Sequence, residues 1–137
     1  MYNAAVNNGL SLSYSLTTIT PGLFYRFKVA AANGLGVGPY SAPALLLAAD
    51  APVAPVLSEI DSERTLSSVF LQFTPDANDG GSSIIGYVLY GNQGIAGSPF
   101  SLIYNGTGRP EVIFYNVTNL TTGLTYQFYI QSENLAF

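Results

Sequence analysis

Three tripeptides in this chain have the form Asn-x-Ser/Thr: Asn105-Gly106-Thr107, Asn116-Val117-Thr118 and Asn119-Leu120-Thr121. In a secreted eukaryotic protein each is an acceptor for an N-linked glycan. A chain rich in Asn, Ser and Thr produces such triplets by chance, so their placement matters. If Tyr115 and Val117 face a core, Asn116 and Thr118 face solvent; Asn119 opens a turn and Asn105 lies in a Gly-rich loop, which leaves all three accessible. A second group is acidic. Asp76, Asn78 and Asp79 ahead of Gly80, together with Glu59, Asp61 and Glu63, offer oxygen ligands of the kind calcium takes, which would stiffen a joint between domains. Asp, Asn and Gly are also ordinary turn formers, and the loop lacks the ligand spacing of a calcium motif, so the turn is the preferred reading and no metal or other cofactor is expected.

Catalysis finds few tools here. The chain has no Cys and no His, which removes disulfides, thiol nucleophiles, imidazole bases and the usual zinc sites together. Its eight carboxylates are scattered over turns and ends, whereas a glycosidase pair needs two held across a cleft. The expectation is a non-enzymatic protein.

Composition limits the partners. Charged residues make up 9% of the 137, against a usual quarter, and hydrophobic residues 48%. Ten Tyr and eight Phe with ample Val, Ile and Leu suffice for a core, so the chain is not a disordered one. A net charge of −4 with four basic residues argues against nucleic acid, which requires a cluster of Lys and Arg. The most apolar run, residues 42–57, is broken by Pro43, Asp50, Pro52 and Pro55, well short of the ~18 apolar residues of a spanning helix. Neutral partners and no membrane insertion within this chain are expected. A sparsely charged surface would be kept soluble by covalent sugar.

The elements that must position these residues read as strands. Val69, Leu71 and Phe73 alternate with Phe70 and Gln72; Ile85, Tyr87 and Leu89 with Gly86 and Val88; Tyr126, Phe128 and Ile130 with Gln127 and Tyr129. Turn signals separate them at residues 75–83 (PDANDGGSS), 91–99 (GNQGIAGSP), 105–110 (NGTGRP) and 121–123, the spacing of a sandwich of short strands. Residues 51–56 (APVAPV) withhold backbone donors and suit a connector entering an edge strand. Alternation leaves Tyr129 outward, and Tyr90, Tyr104 and Tyr129 are the tyrosines expected at the surface.

The chain also repeats itself. Residues 11–33 (SLSYSLTTITPGLFYRFKVAAAN) align without a gap on 112–134 (VIFYNVTNLTTGLTYQFYIQSEN), pairing Tyr14 with Tyr115, Gly22 with Gly123, Tyr25 with Tyr126, Phe27 with Phe128 and Asn33 with Asn134. A period of this length points to an array of units of roughly 100 residues, cut out of phase.

These segments resemble the fibronectin type III family. From the proline-rich entry through SSVFLQFTP, a GG turn, IIGYVLY and NVTNLTTGLTYQFYIQSEN the order resembles that family's first to sixth strands; TPGLFYRFKVAAANGLGVGPYSAPALLL resembles its last two, with an Asn-x-x-Gly-x-Gly-x-x-Ser turn at Asn33, Gly36, Gly38 and Ser41. The resemblance implies an all-β, immunoglobulin-like β-sandwich: the last strands of one domain over residues 1–50, a linker over 51–56, and a domain lacking its last strand over 57–137. Phe73 stands where the family usually has Trp. Tyr25 and Tyr126 match the family's corner tyrosine, whose hydroxyl ties down the preceding turn, with Ile19 and Leu120 as the apolar plugs beneath.

What the resemblance implies for function is an extracellular structural protein: tandem units, glycosylated, forming a stalk or fibril. Its unfinished ends would be completed by covalent continuation, which the sequence favours, or by a strand lent from residues 36–49 of a neighbouring chain. The stretch 1–10 is not apolar enough for a signal peptide. The alternatives are an adhesion or receptor ectodomain binding through the loops 91–99 and 105–110, though without an Arg-Gly-Asp tripeptide, and a spacer in a larger secreted enzyme.

Overall fold

A computed structural model describes residues 13–136 of the chain. The opening residues of the first repeat copy, Ser11 and Leu12, the stretch before them and Phe137 lie outside the described residues.

Residues 56–134 form two antiparallel sheets laid face to face. One consists of β5 (Val56–Glu59), β6 (Val69–Thr74) and β9 (Phe114–Val117), in the order β5-β6-β9; the other of β7 (Ile84–Gly91), β8 (Ser101–Asn105) and β10 (Phe128–Asn134), in the order β10-β7-β8. The alternating residues meet between them. Leu71, Phe73 and Val117 from the first sheet pack on Tyr87, Leu89 and Ile130 from the second, and Phe73 and Leu89 are fully enclosed. Burying side chains of this size stabilises the fold by about 1.5–3 kcal/mol each. Phe73 fills the position expected of a Trp, its ring tilted 52° against Tyr87 at 6.0 Å.

Two departures from simple alternation have local causes. β7 is the central strand of its sheet, so Val88, on the face away from the core, is buried as deeply as its inward neighbours. A bulge shifts the β7–β8 register between Leu89 and Tyr90, so that Leu89 faces Tyr104 while Tyr90 faces Leu102. The extra residue puts both Ile103 and Tyr104 against the core. Tyr104, expected at the surface, is therefore turned inward, where it packs on Tyr115 at 4.7 Å with its hydroxyl buried and without a hydrogen-bond partner among the described residues.

Residues 24–47 form one long hairpin. β1 (Phe24–Phe27) pairs with β4 (Ala44–Leu47), and β2 (Ala32–Asn33) with β3 (Gly36–Val37), from Phe24↔Leu47 at the base to Asn33↔Gly36 at the tip. Between these ladders Pro39 and Pro43 withhold their N–H groups. Ser41 bridges the gap: its backbone N–H donates to the Val29 carbonyl at 2.7 Å, and its hydroxyl accepts from the Val29 N–H at 3.1 Å. The Gly38 N–H donates to the Ala31 carbonyl and the Leu35 N–H to Asn33 Oδ1, while Gly36 pairs with Asn33 at the end of the β2–β3 ladder.

Candidate functional site

Tyr25 and Tyr126 occupy identical positions in two turns. The Thr20 N–H donates to the Tyr25 hydroxyl at 2.8 Å, and the Thr121 N–H to the Tyr126 hydroxyl at 2.9 Å. Gly22 and Gly123 take the same left-handed conformation, φ 81° and 88°. Each bond spans five residues, short enough for the local sequence alone to specify the turn. The plugs differ: Leu120 packs against the core, whereas Ile19 is 47% exposed.

The hairpin and the sandwich meet at a joint built from main chain. In the loop after β6, the Asn78 and Gly81 N–H groups donate to the side chains of Asp76 and Asp79 at 2.8 Å, and the Gly80 N–H to Asn78 Oδ1 at 3.0 Å. These Asx turns put the oxygens to structural use and aim the loop at the connector. The Asp50 N–H donates to the Gly80 carbonyl at 2.8 Å and the Val53 N–H to the Asn78 carbonyl at 3.1 Å. Gly80 and Gly81 both have positive φ, and a Cβ on Gly81 would stand 2.2 Å from the Gly22 nitrogen, while one on Gly80 would stand 2.2 Å from the Asp50 carbonyl oxygen. Only glycine permits so close an approach. The joint thus touches the Pro21–Gly22 turn of the first repeat copy on one side and the connector on the other.

Asn134 closes the joint from β10. It is 2% exposed, and its Nδ2 donates to the carbonyls of Asp50 and Asp79, each at 2.9 Å, while its Oδ1 accepts from the Ala136 N–H. One amide therefore ties connector, loop and strand together. The Ser132 hydroxyl adds a bond to the Val53 carbonyl at 3.2 Å. This clamp goes beyond the pairing of Asn33 with Asn134 read from the sequence; that recurrence was its one available signal.

The remaining acidic residues lie apart from the loop. Glu59 receives two hydrogen bonds from the Arg64 guanidinium, and Asp61 lies 3.7 Å from it. Hydrogen bonding from Arg64 holds the Glu59 carboxyl below the usual carboxylate range, its charge adding to the effect while desolvation opposes it. Among the described residues no three acidic groups converge as metal ligands.

All three glycan-acceptor asparagines are exposed. Asn105 ends β8 and Asn116 lies in β9 opposite Phe70, while Asn119, at φ 61°, makes a left-handed turn just before the corner. Asn105 Oδ1 accepts from the Thr107 N–H at 3.0 Å, and the Thr107 hydroxyl lies between that oxygen, at 2.7 Å, and the Glu133 carboxylate, with one proton to serve either. On the outer face of the β10-β7-β8 sheet Tyr90 and Tyr129 stack at 4.8 Å and 12°, with the Phe100 ring edge-on to Tyr129 at 5.0 Å. Alternation placed Tyr129 outward, but the Phe100 contact had no sequence signal.

No family model matches the chain. Among curated relatives, Protein sidekick-1 of Gallus gallus is 30% identical over 125 residues, which cover 89% of this chain and 6% of the relative. The chain therefore spans only about a sixteenth of that relative's length. Among solved structures, domains A168–A170 of titin superpose with a TM-score of 0.54 at 27% identity, over 82% of this chain and 35% of theirs. A human FNIII domain superposes with the same TM-score at 24% identity, over 64% of this chain and 69% of its own. With two facing antiparallel sheets and these neighbours, the chain has an all-β, fibronectin type III-like sandwich fold.

Proposed function

We propose that this chain is a rigid stretch of a longer extracellular stalk or fibril, in which fibronectin type III-like units follow one another and are held at a fixed angle, with N-linked glycans covering a surface poor in charge. Residues 1–50 are the end of one unit, 51–56 the connector and 57–137 the next unit; the first unit's repeated corner turn is the surface on which the second one rests. The observation that carries this reading is the joint, where Gly80 and Gly81 bring main chains into contact and the Asn134 side chain ties two carbonyls together. A binding module working through its loops has no need of such a lock. The role is non-enzymatic and takes no metal. The test is small-angle X-ray scattering of the chain beside its Gly81→Ala variant: a single extended envelope that becomes a broad distribution of shapes in the variant supports the spacer. An unchanged profile would remove the joint from the argument. Electron microscopy of native material showing regular filaments supports the fibril, and monodisperse particles refute it.

A second reading, an adhesion or receptor ectodomain, draws on the exposed aromatic face of Tyr90, Tyr129 and Phe100. A binding screen that maps affinity to that face or to the loops 91–99 and 105–110 would favour it.

A further inference from the structure

The strand register places one glycan acceptor beside the exposed aromatic rings. Val88 pairs with Asn105 on one side and Gln131 on the other; Tyr90 pairs with Leu102 and Tyr129. Val88 and Tyr90 are two apart on β7, as are Gln131 and Tyr129 on β10, so both rows lie on the same outer face, about 7 Å from each other along the strands. The next row in the opposite direction brings Glu133 to Thr107, whose hydroxyl lies within hydrogen-bond reach of it. One continuous face thus runs from Thr107 and Asn105 across Val88 to the stacked tyrosines and Phe100.

Asn105 is set up to hand a substituent onto that face. The Thr107 N–H draws Asn105 Oδ1 toward the turn, which leaves Nδ2, the atom that carries an N-linked sugar, without a partner among the described residues and directed away from Thr107. Beyond it Tyr129 and Phe100 are open to solvent, 41% and 43% exposed, with Tyr129 stacked on the half-buried Tyr90 and Phe100 edge-on to Tyr129. The C–H face of a sugar ring meets an aromatic face through many weak dispersion contacts, while its hydroxyls need the amide and hydroxyl groups that border the shelf at Gln131 and the tyrosines. A tethered sugar also reaches the shelf at a high effective concentration, an advantage that no free ligand has.

We propose that Tyr90, Tyr129 and Phe100 form a shelf on which the first sugars of a glycan carried by Asn105 of the same chain lie. This rests on the glycosylated reading above and adds to it a bound conformation: the glycan is a fitted cover for the sheet, protecting aromatic surface that would otherwise adhere to other molecules.

The test uses the full chain secreted from a eukaryotic cell line, with its glycans trimmed enzymatically to the first two sugars. Glycopeptide mass spectrometry first reads occupancy, and an unmodified Asn105 overturns the glycan reading at this site and this proposal with it. With Asn105 occupied, the sugar protons should be displaced upfield by the ring currents of the shelf. That displacement is kept in Tyr129→Phe and lost in Tyr129→Ala and in Phe100→Ala, the latter lying outside the strand ladders and so independent of strand pairing. The occupied chain should also melt about 4 °C above Asn105→Gln, and the Tyr129→Ala background should abolish the gain. Sugar protons at free-sugar positions in the occupied parent overturn the shelf while leaving glycosylation standing. Capture of a protein partner through the same rings by the occupied chain would assign the shelf to that partner instead.

Discussion

Tyr25 and Tyr126 close the same turn with the same bond, yet the strands that follow them live in different surroundings. Ile130 is 6% exposed at the centre of the sandwich, whereas its counterpart in the first copy, Val29, is 72% exposed on a hairpin with no sheet facing it among the described residues. The turn is therefore a local object, made by a tyrosine reaching back five residues. Burial is a collective one that needs strands from far along the chain. The residues the two copies share carry the first property and cannot by themselves supply the second.

Four experiments test this contrast. The largest effect is expected at the two equivalent apolar positions. Ile130→Ala should destabilise the sandwich by about 2–5 kcal/mol in urea unfolding, while Val29→Ala stays within about 0.5 kcal/mol. Equal losses would mean that the hairpin has a core of its own.

Next comes the contact that joins the regions. Gly81→Ala drives a Cβ into the Gly22 backbone at a positive φ and should weaken the joint by about 1–3 kcal/mol. Amide exchange at Asp50 and Val53 should speed up while the amides of β6 and β7 keep their protection. If exchange at both sites is unmoved, the two regions do not depend on each other.

A smaller loss, about 1 kcal/mol, is expected when either corner hydroxyl is removed. Tyr126→Phe should register in global unfolding because its turn packs on the sandwich. Tyr25→Phe should register mainly as faster exchange of the Thr20 amide. A global effect of the same size from both would make the two corners energetically equivalent.

The smallest effect is electrostatic and confined to the sandwich. Because Arg64 holds Glu59 below the ordinary carboxylate range, the pair contributes above that range, and the contribution fades as pH falls through the lowered value. The unfolding midpoint should drop slightly in acid for the parent and show less of that drop in Glu59→Gln. Screening at high salt should erase the difference, as it does for exposed ion pairs.

The contrast also explains what the sequence made legible. Period-two alternation located β6, β7 and β10, because one-sided burial leaves its mark in residue type. It mistook the start of β10: Gln127 is tied to Asn92, whose side-chain oxygen accepts the Gln127 N–H, so the ladder begins only at Phe128. Strand β8 left no comparable mark, and the bulge that turns Tyr104 inward depends on pairing geometry rather than on any residue in β8. The glycan triplets were legible as exposed, since a turn and a loop announce themselves in Gly, Asn and Thr. The clamp was not: Asn134 bonds to carbonyls 84 and 55 residues away, and carbonyls are the same in every residue.

The bonds that cross the joint run from amide and hydroxyl donors to carbonyl oxygens, with no ion pair among them. Screening by dissolved salt, which loosens contacts between charges, acts only weakly on such bonds. The angle between hairpin and sandwich should therefore hold across ionic strengths that would loosen an ion-paired contact.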